Sequence, residues 1–356
     1  MFAYIERWFK KYLSDSQAIY LALLLAGGLA AIVFLGTKLL PVLAAIVIAY
    51  LLDDLIDFMQ RHGAPRMRAV IVVYLIFIAL LILVFFGLVP LLLAQVTAFF
   101  QELPNMISKG QKALVNLPNH YPFISENQIE QIIVAIRSEL TEVGRQVVSF
   151  SLSSLTGLIT IVVYLVLLPL LVFFFIKDKA LILAWVRGYM PAERTLMTQL
   201  WDNLDAQIGN YVRGKIWEIL IVAFVTSATF LILGLNYAIL LGALVGLSVI
   251  VPYIGAIVVT VPVILIAFFQ WGWGSEFLYV AVAYGVIQTL DAAVLVPLLF
   301  SEAVNLHPIA IIVAVLFFGG IWGFWGVFFA IPLATLIQVI IMVWPRTSTD
   351  TTGGSS

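Results

Sequence analysis

Apolar residues along this chain fall in long unbroken runs, not in the alternation of a half-buried strand or the three-and-four spacing of a surface helix. A helix needs about 20 such residues to cross a bilayer. Runs suited to that task cover Gln17–Gly36, Leu39–Leu52 with continuation toward Met59, Ala69–Ala94, Leu155–Ile176 and Ile216–Leu235. Further blocks follow at Asn236–Gln270, Phe277–Phe300 and Ile309–Trp344. One crossing per block predicts an all-α polytopic membrane protein of about eight transmembrane helices.

Two hydrophilic segments interrupt this pattern. Residues 95–154 place Ile129, Ile132, Ile133, Ile136 and Leu140 on one helical face and Glu130, Arg137, Glu139 and Glu142 elsewhere. They predict a small helical domain outside the membrane. Residues 177–215 repeat Leu196, Leu200, Leu204 and Ile208 at every fourth position, the mark of a helix lying along a membrane surface or packed under it. The expected organisation is a cytoplasmic segment at 1–16, three transmembrane helices within 17–94, and the extracytoplasmic domain at 95–154. A fourth transmembrane helix at 155–176, the cytoplasmic amphipathic segment at 177–215, a C-terminal transmembrane repeat pair at 216–344 and a disordered tail at 345–356 complete it.

Basic residues orient the spans. Arg7, Lys10 and Lys11, then Arg61, Arg66 and Arg68, then the basic residues of 177–215 all fall on one side if each span crosses once. An excess of Lys and Arg marks the cytoplasmic side, so both termini are expected there. The first apolar run is too long for a cleavable signal peptide, and no small-residue cleavage site follows it.

Composition narrows the class. Hydrophobic residues make up 63% of the chain and charged ones 10%, with a mean hydropathy of +1.12. Soluble domains carry roughly 25% charged residues. The lipid bilayer is the first partner implied, and a net charge of −1 suggests no nucleic-acid partner. The chain has no cysteine, which excludes disulfides, thiolate metal sites and a cysteine nucleophile. It shows no H-E-x-x-H, G-x-S-x-G or Walker A pattern. Neither an enzyme nor a cofactor is expected, and transport would have to run on a gradient.

From Ile216 to Pro345 there is no Lys or Arg, and the only acids are Glu218, Glu276, Asp291 and Glu302. This region carries a weak internal repeat. Asn236-Tyr-Ala-Ile opens an apolar block broken at Val251-Pro-Tyr-Ile-Gly255 that reaches Val261-Pro262. Asn305-Leu-His-Pro opens a second, broken at Gly319-Gly-Ile-Trp-Gly323, that reaches Ile331-Pro332. Each block is too long for one straight crossing. Each is therefore a tilted overlong helix or a broken, re-entrant pair of half-helices. Paired interrupted segments in two related halves point to a transporter substrate site.

At these residues the chain resembles the AI-2E transporter family, over nearly its whole length. Gly209-Asn-Tyr-Val-Arg-Gly214 is similar to the family's G-x-Y-x-R-G element, with Lys215 where the family more often has Gln. Val251-Pro-Tyr-Ile-Gly255 is similar to its P-x-I-G break. Its C-terminal signature is matched by Gln288-Thr-Leu-Asp291, Val296-Pro297, Leu306-His-Pro308, Gly319-Gly-Ile-Trp-Gly323 and Ile331-Pro-Leu333. The resemblance implies a bacterial inner-membrane protein with eight spans, both termini cytoplasmic, assembled as a homo-oligomer, with the pentamer as the expected form. It implies transport, with members linked to export of the signal autoinducer-2 and others to exchange of sodium or lithium for protons.

Candidate residues follow from cost. A charge at mid-bilayer costs on the order of 2.5–3.5 kcal/mol on insertion scales, so Asp291 stands out as a proton or cation site. The plainer reading is a carboxylate held neutral or hydrogen-bonded to Gln288, three residues earlier on the same face. Glu218 is either a gate acid or half of an interfacial pair with Lys215 or Arg213. Tyr211 and Arg213 end the amphipathic segment, where Arg213 would bind an anion or anchor the loop. Pro252, Tyr253 and Gly255, and likewise Gly319, Gly320 and Gly323, would expose backbone groups to a cavity or simply kink and pack helices. His307 suits a cap better than a titrating gate. Asp53, Asp54 and Asp57 read as interfacial acids, with Asp57 placed to pair with Arg61. The function expected is gradient-driven export of a small polar solute. A Na⁺(Li⁺)/H⁺ antiporter is the alternative, and a non-transporting membrane scaffold is the reading from another class.

Overall fold

The computed structural model describes residues 16–115, 155–189, 195–300 and 306–343. Most of the expected extracytoplasmic domain, nearly all of the N-terminal segment and the C-terminal tail lie outside them. The described residues form helices and turns only, and the chain is an all-α polytopic membrane protein. In order the helices are α1 (Ser16–Arg61), α2 (Arg66–Leu83), α3 (Val89–Val115), α4 (Leu155–Lys177) and α5 (Lys179–Gly188). Then come α6 (Thr195–Ile232), α7 (Ala238–Ser248), α8 (Ile254–Trp271), α9 (Ser275–Leu290) and α10 (Val296–Phe300). The last are α11 (Pro308–Trp322), α12 (Phe324–Phe328) and α13 (Ala330–Val343). One-turn π-helices join α2 to α3 at Val84–Leu88 and α9 to α10 at Asp291–Leu295.

Among the described residues, four helical stretches are long and apolar enough to cross a membrane: Arg66–Met106, Gln207–Ile232, Ile254–Trp271 and Ser275–Phe300. Their outward faces are apolar. Ile232, Phe86 and Leu298 are each more than 70% exposed, a placement that suits hydrocarbon rather than water.

Two boundaries differ from the hydrophobic pattern. Where that pattern separates two spans at Thr37-Lys38, the structure has the single 46-residue helix α1. A dip in hydropathy is not a helix break, because neither residue removes a backbone hydrogen bond. Similarly, α6 runs unbroken through the expected boundary between 215 and 216, so the amphipathic segment and the fifth span are one helix.

The chain divides into two compact units. One comprises Met1–Val70, Leu170–Trp217 and Leu295–Ser356, the other Ile71–Pro169 and Glu218–Val294. Each holds one of the broken blocks.

In the second unit, α7 and α8 form a hairpin. With 11 residues, α7 is about 16 Å long at 1.5 Å per residue, half of a bilayer core. The chain reverses over Val249–Tyr253, and the open ends meet at Gln270. That side chain accepts the Asn236 N–H at 2.8 Å and donates to the Gly234 carbonyl at 2.8 Å. Gln95 of α3 accepts the Leu240 N–H at 2.8 Å, filling one of the donors that a helix N-terminus leaves free. On its other face α7 presents Gly242 and Gly246, spaced as in G-x-x-x-G, to Ile219, Ala223 and Ser227 of α6. A Cβ on Gly246 would lie 2.7 Å from the Ile219 carbonyl oxygen, so only glycine allows this approach.

In the first unit, α11 and α13 pack together through the short α12. His307 caps α11, its Nδ1 accepting the Ile309 N–H at 3.3 Å, and Pro308 takes the first helical position. This agrees with the capping role expected for His307. The chain turns at Gly323, whose φ of 60° and ψ of −134° lie in a region reached essentially by glycine alone. Both breaks therefore fall where Gly and Pro interrupt the sequence.

Candidate transport site

The second unit brings polar groups together inside an apolar bundle. Thr260 of α8 and Tyr284 of α9 have hydroxyls 2.9 Å apart. Thr260 donates to the Ala256 carbonyl at 2.6 Å, so the Tyr284 hydroxyl donates to Thr260. Tyr284 in turn accepts the Gln288 Nε2–H at 2.6 Å. The result is a directed chain from Gln288 through Tyr284 and Thr260 to a backbone carbonyl. Tyr284 is buried, with its ring 6.3 Å from that of Phe230 on α6.

Phe230 belongs to a buried stripe of α6 that repeats every four residues: Glu218, Val222, Thr226 and Phe230. Contacts of α6 with α7, α7 with α8, and α8 with α9 each pair ascending with descending numbers. Thus α6 and α9 run antiparallel. From the Phe230–Tyr284 contact, one turn along each helix reaches Thr226 and Gln288. The next reaches Val222 and Asp291. Thr226 is fully buried, and its hydroxyl has no hydrogen-bond partner among the described residues. Glu218, also buried, closes the same stripe.

Asp291 opens the π-helical turn Asp291–Leu295. π-Turns are rare and recur at functional sites, because the extra residue rotates the following side chains off the regular face. The Gln288 amide donates to Tyr284, and Asp291 follows three residues on, at the start of the π-turn.

The hairpin tip reaches this level. Tyr284 lies 3.5 Å from the Ala256 carbonyl oxygen, one residue beyond Gly255. Pro252, Tyr253 and Gly255 form the turn itself. Tyr253 adopts a φ of 63° and is 60% exposed, and a Cβ on Gly255 would collide with the Ser248 carbonyl. So the structure groups Pro252, Tyr253, Gly255, Gln288 and Asp291 in one unit, with Glu218 on the facing stripe. Gly319, Gly320 and Gly323 lie in the first unit, at the turn from α11 to α12.

Tyr211 and Arg213 also lie in the first unit, and their contacts there are dense. Arg213 pairs with Asp54 of α1, donates to Tyr50 at 3.1 Å and to Asn210 at 3.2 Å, and stacks over the Tyr50 ring at 5.2 Å. Tyr211 is buried against Phe300 of α10, with ring centroids 5.6 Å apart. Gly209 leaves room for Tyr50, and Gly214 for Phe300. Lys215 is buried with its ammonium 5.1 Å from the Phe300 ring centroid. These contacts tie the Arg213 guanidinium to α1 within the first unit. Asp57 accepts a hydrogen bond from Gln60, in place of the expected pair with Arg61.

Sequence reasoning missed Tyr284, Thr260, Thr226, Tyr50 and the partner of Arg213. The spacing of Tyr284, Gln288 and Asp291 at i, i+4 and i+7 was a usable signal for one helical face. Nothing local in the sequence could pair Asp54 with Arg213, which stand 159 positions apart.

The profile of the AI-2E family of transporters matches residues 21–346. The chain is 45% identical to the protein named "Putative permease PerM" of Escherichia coli strain K12, over 97% of this chain and 98% of that one. It is 26% identical to "Putative transport protein YueF" of Bacillus subtilis strain 168, over 87% and 85% of the two chains. A third relative, "Putative transport protein YrrI" of the same organism, is 25% identical over 88% of each chain. With a polytopic helical fold and a family match across almost its full length, the chain belongs to the AI-2E family of membrane transporters.

Proposed function

We propose that this protein is a gradient-driven exporter of a small polar solute of the autoinducer-2 type. It would work in the bacterial inner membrane as a homo-oligomer with both termini in the cytoplasm. The translocation path is assigned to the second unit. The observation that carries this reading is the line of polar residues Glu218, Thr226, Tyr284, Gln288 and Asp291 along α6, α9 and the π-turn that follows it, helices that are largely apolar. Polar and ionisable groups inside a membrane are expensive and mark solute or proton pathways by default. The broken hairpin beside them adds backbone groups able to meet a solute.

The second reading is a Na⁺(Li⁺)/H⁺ antiporter. It is favoured by two acids, Glu218 and Asp291, in a stretch from Ile216 to Pro345 without any Lys or Arg. Cation-triggered proton movement in proteoliposomes carrying an internal pH dye separates the two. If antiport is right, Na⁺ or Li⁺ drives protons out in wild type and Asp291→Asn abolishes it. Export of an organic solute instead predicts no cation response, with solute efflux lost in Asp291→Asn and reduced in Gln288→Ala. A scaffold without transport predicts neither flux in well-folded wild type, and that result would sink both transport readings.

A further inference from the structure

The charged cleft of the first unit is unused by the reading above. Asp53 and Asp57 from the end of α1, Arg66 at the start of α2, and Lys179, Ala180, Leu183 and Arg187 from α5 enclose about 240 Å³. Its charges are unequally committed. Lys179 pairs with Asp53, and Asp57 accepts from Gln60. Arg66 and Arg187 are exposed and make neither an ion pair nor a side-chain hydrogen bond among the described residues. The cleft thus holds one acid paired with Lys179, a second that keeps its charge, and two guanidinium groups without an acid partner among the described residues.

Chain connectivity fixes its depth. α1 leaves the apolar layer at Asp53–Arg61, α2 enters it at Arg66, and α5 starts directly after the apolar α4 ends at Lys177. Helix α5 itself is two-faced. Lys179, Leu183 and Arg187, four residues apart, line the cleft. On the opposite face Leu181, Trp185 and Tyr189 are each more than 60% exposed, with the Trp185 and Tyr189 rings 5.0 Å apart. Exposed Trp and Tyr beside a span sit at headgroup level. A surface helix with such a stripe buries it at the boundary of headgroups and acyl chains. The cleft is therefore at the height of lipid phosphates.

We propose that this cleft binds the phosphate of an anionic phospholipid headgroup, gripped by Arg66 and Arg187. Guanidinium forks match phosphate oxygens in pairs, and basic pockets beside transmembrane helices take anionic headgroups in this way. Lys179 offsets Asp53, and with Arg66 and Arg187 set against Asp57 alone the cleft is net positive toward an anion.

The test is thermal unfolding of the purified full chain in detergent, with short-chain phosphatidylglycerol, phosphatidylcholine or inorganic phosphate added. Phosphatidylglycerol should raise the wild-type Tm by on the order of 2–4 °C, as a ligand in excess of its Kd does. Phosphatidylcholine should leave it unchanged. Arg66→Gln with Arg187→Gln should lose the shift. Arg61→Gln with Arg68→Gln, which removes the same charge outside the cleft, should keep it. Equal loss in both double variants would overturn the proposal in favour of diffuse surface charge. So would an unshifted wild type. A shift with inorganic phosphate as large as that with the lipid would assign the cleft to a soluble phosphate and overturn the lipid.

Discussion

The two broken blocks look alike in sequence, yet they are held together by different means. The hairpin of α7 and α8 is fastened by directed contacts. Gln270 ties its open ends, Gln95 caps α7, and two glycines let α7 lie directly on α6. In the other block Gly326 brings α12 against the Phe318 backbone, and α11 and α13 pack along apolar side chains. Beside them is a groove of about 410 Å³, open to the surface and lined by residues such as Ala310, Val313, Phe317, Ala334 and Ile337. One repeat has been tightened next to the polar line of Tyr284, Gln288 and Asp291. The other is closed at its α11–α12 turn by Gly326 and leaves a groove along α11 and α13. In hydrocarbon, where burying apolar surface gives no drive between helices, close backbone approach and hydrogen bonds are the forces that can fix a position. A block beside the proposed solute path needs that fixity to hold its polar groups in register.

The contrast can be broken at single residues. Gly246→Leu should have the largest effect, since the new side chain meets Ala223 and the Ile219 carbonyl. A loss of about 3 kcal/mol or more is expected in detergent denaturation. A mild effect there would mean that α7 is free to shift and that the tight hairpin is not tight. Gly323→Ala comes next. It must hold alanine at φ 60° and should cost about 2 kcal/mol by the same measurement, with helix content kept in circular dichroism.

Gln270→Ala removes two hydrogen bonds at a partly exposed site and should cost about 1 kcal/mol. It should also speed hydrogen exchange at Asn236 more than at Ile309, whose amide is capped within its own hairpin. Equal exchange at both would erase the distinction between the clamped and the packed hairpin. Gly320→Ala should change stability by less than about 0.5 kcal/mol, because its Cβ would meet nothing within 4 Å. A large loss there would reveal a contact that this single chain does not contain.

Most of the fold was legible from the sequence because lipid enforces a simple rule. A backbone in hydrocarbon must satisfy its own hydrogen bonds, so apolar runs become helices. Gly and Pro then set where α7 gives way to α8 and α11 to α12. The region at Thr37-Lys38 misled because polarity and helix breaking are separate properties. The candidate site was only half legible. Asp291 and Gln288 announce themselves as polar residues in an apolar run. Thr260 and Thr226 do not, since a threonine hydroxyl in a membrane helix can be satisfied by a carbonyl of the previous turn, and Tyr284 does not, since tyrosine is also a common residue of membrane helix ends.

Sequence alone therefore determined the helices, their breaks, the membrane as solvent and the acids that need explaining. Tertiary structure decided the partners. It turned α7 back onto α8, set Tyr284 between Gln288 and Thr260, gave Arg213 to Asp54, and left Arg66 and Arg187 facing a cleft. The reason is range. Helix formation and lipid solvation act on neighbouring residues and can be summed along the chain. A hydrogen bond or ion pair between residues more than a hundred positions apart depends on which helices come to lie side by side.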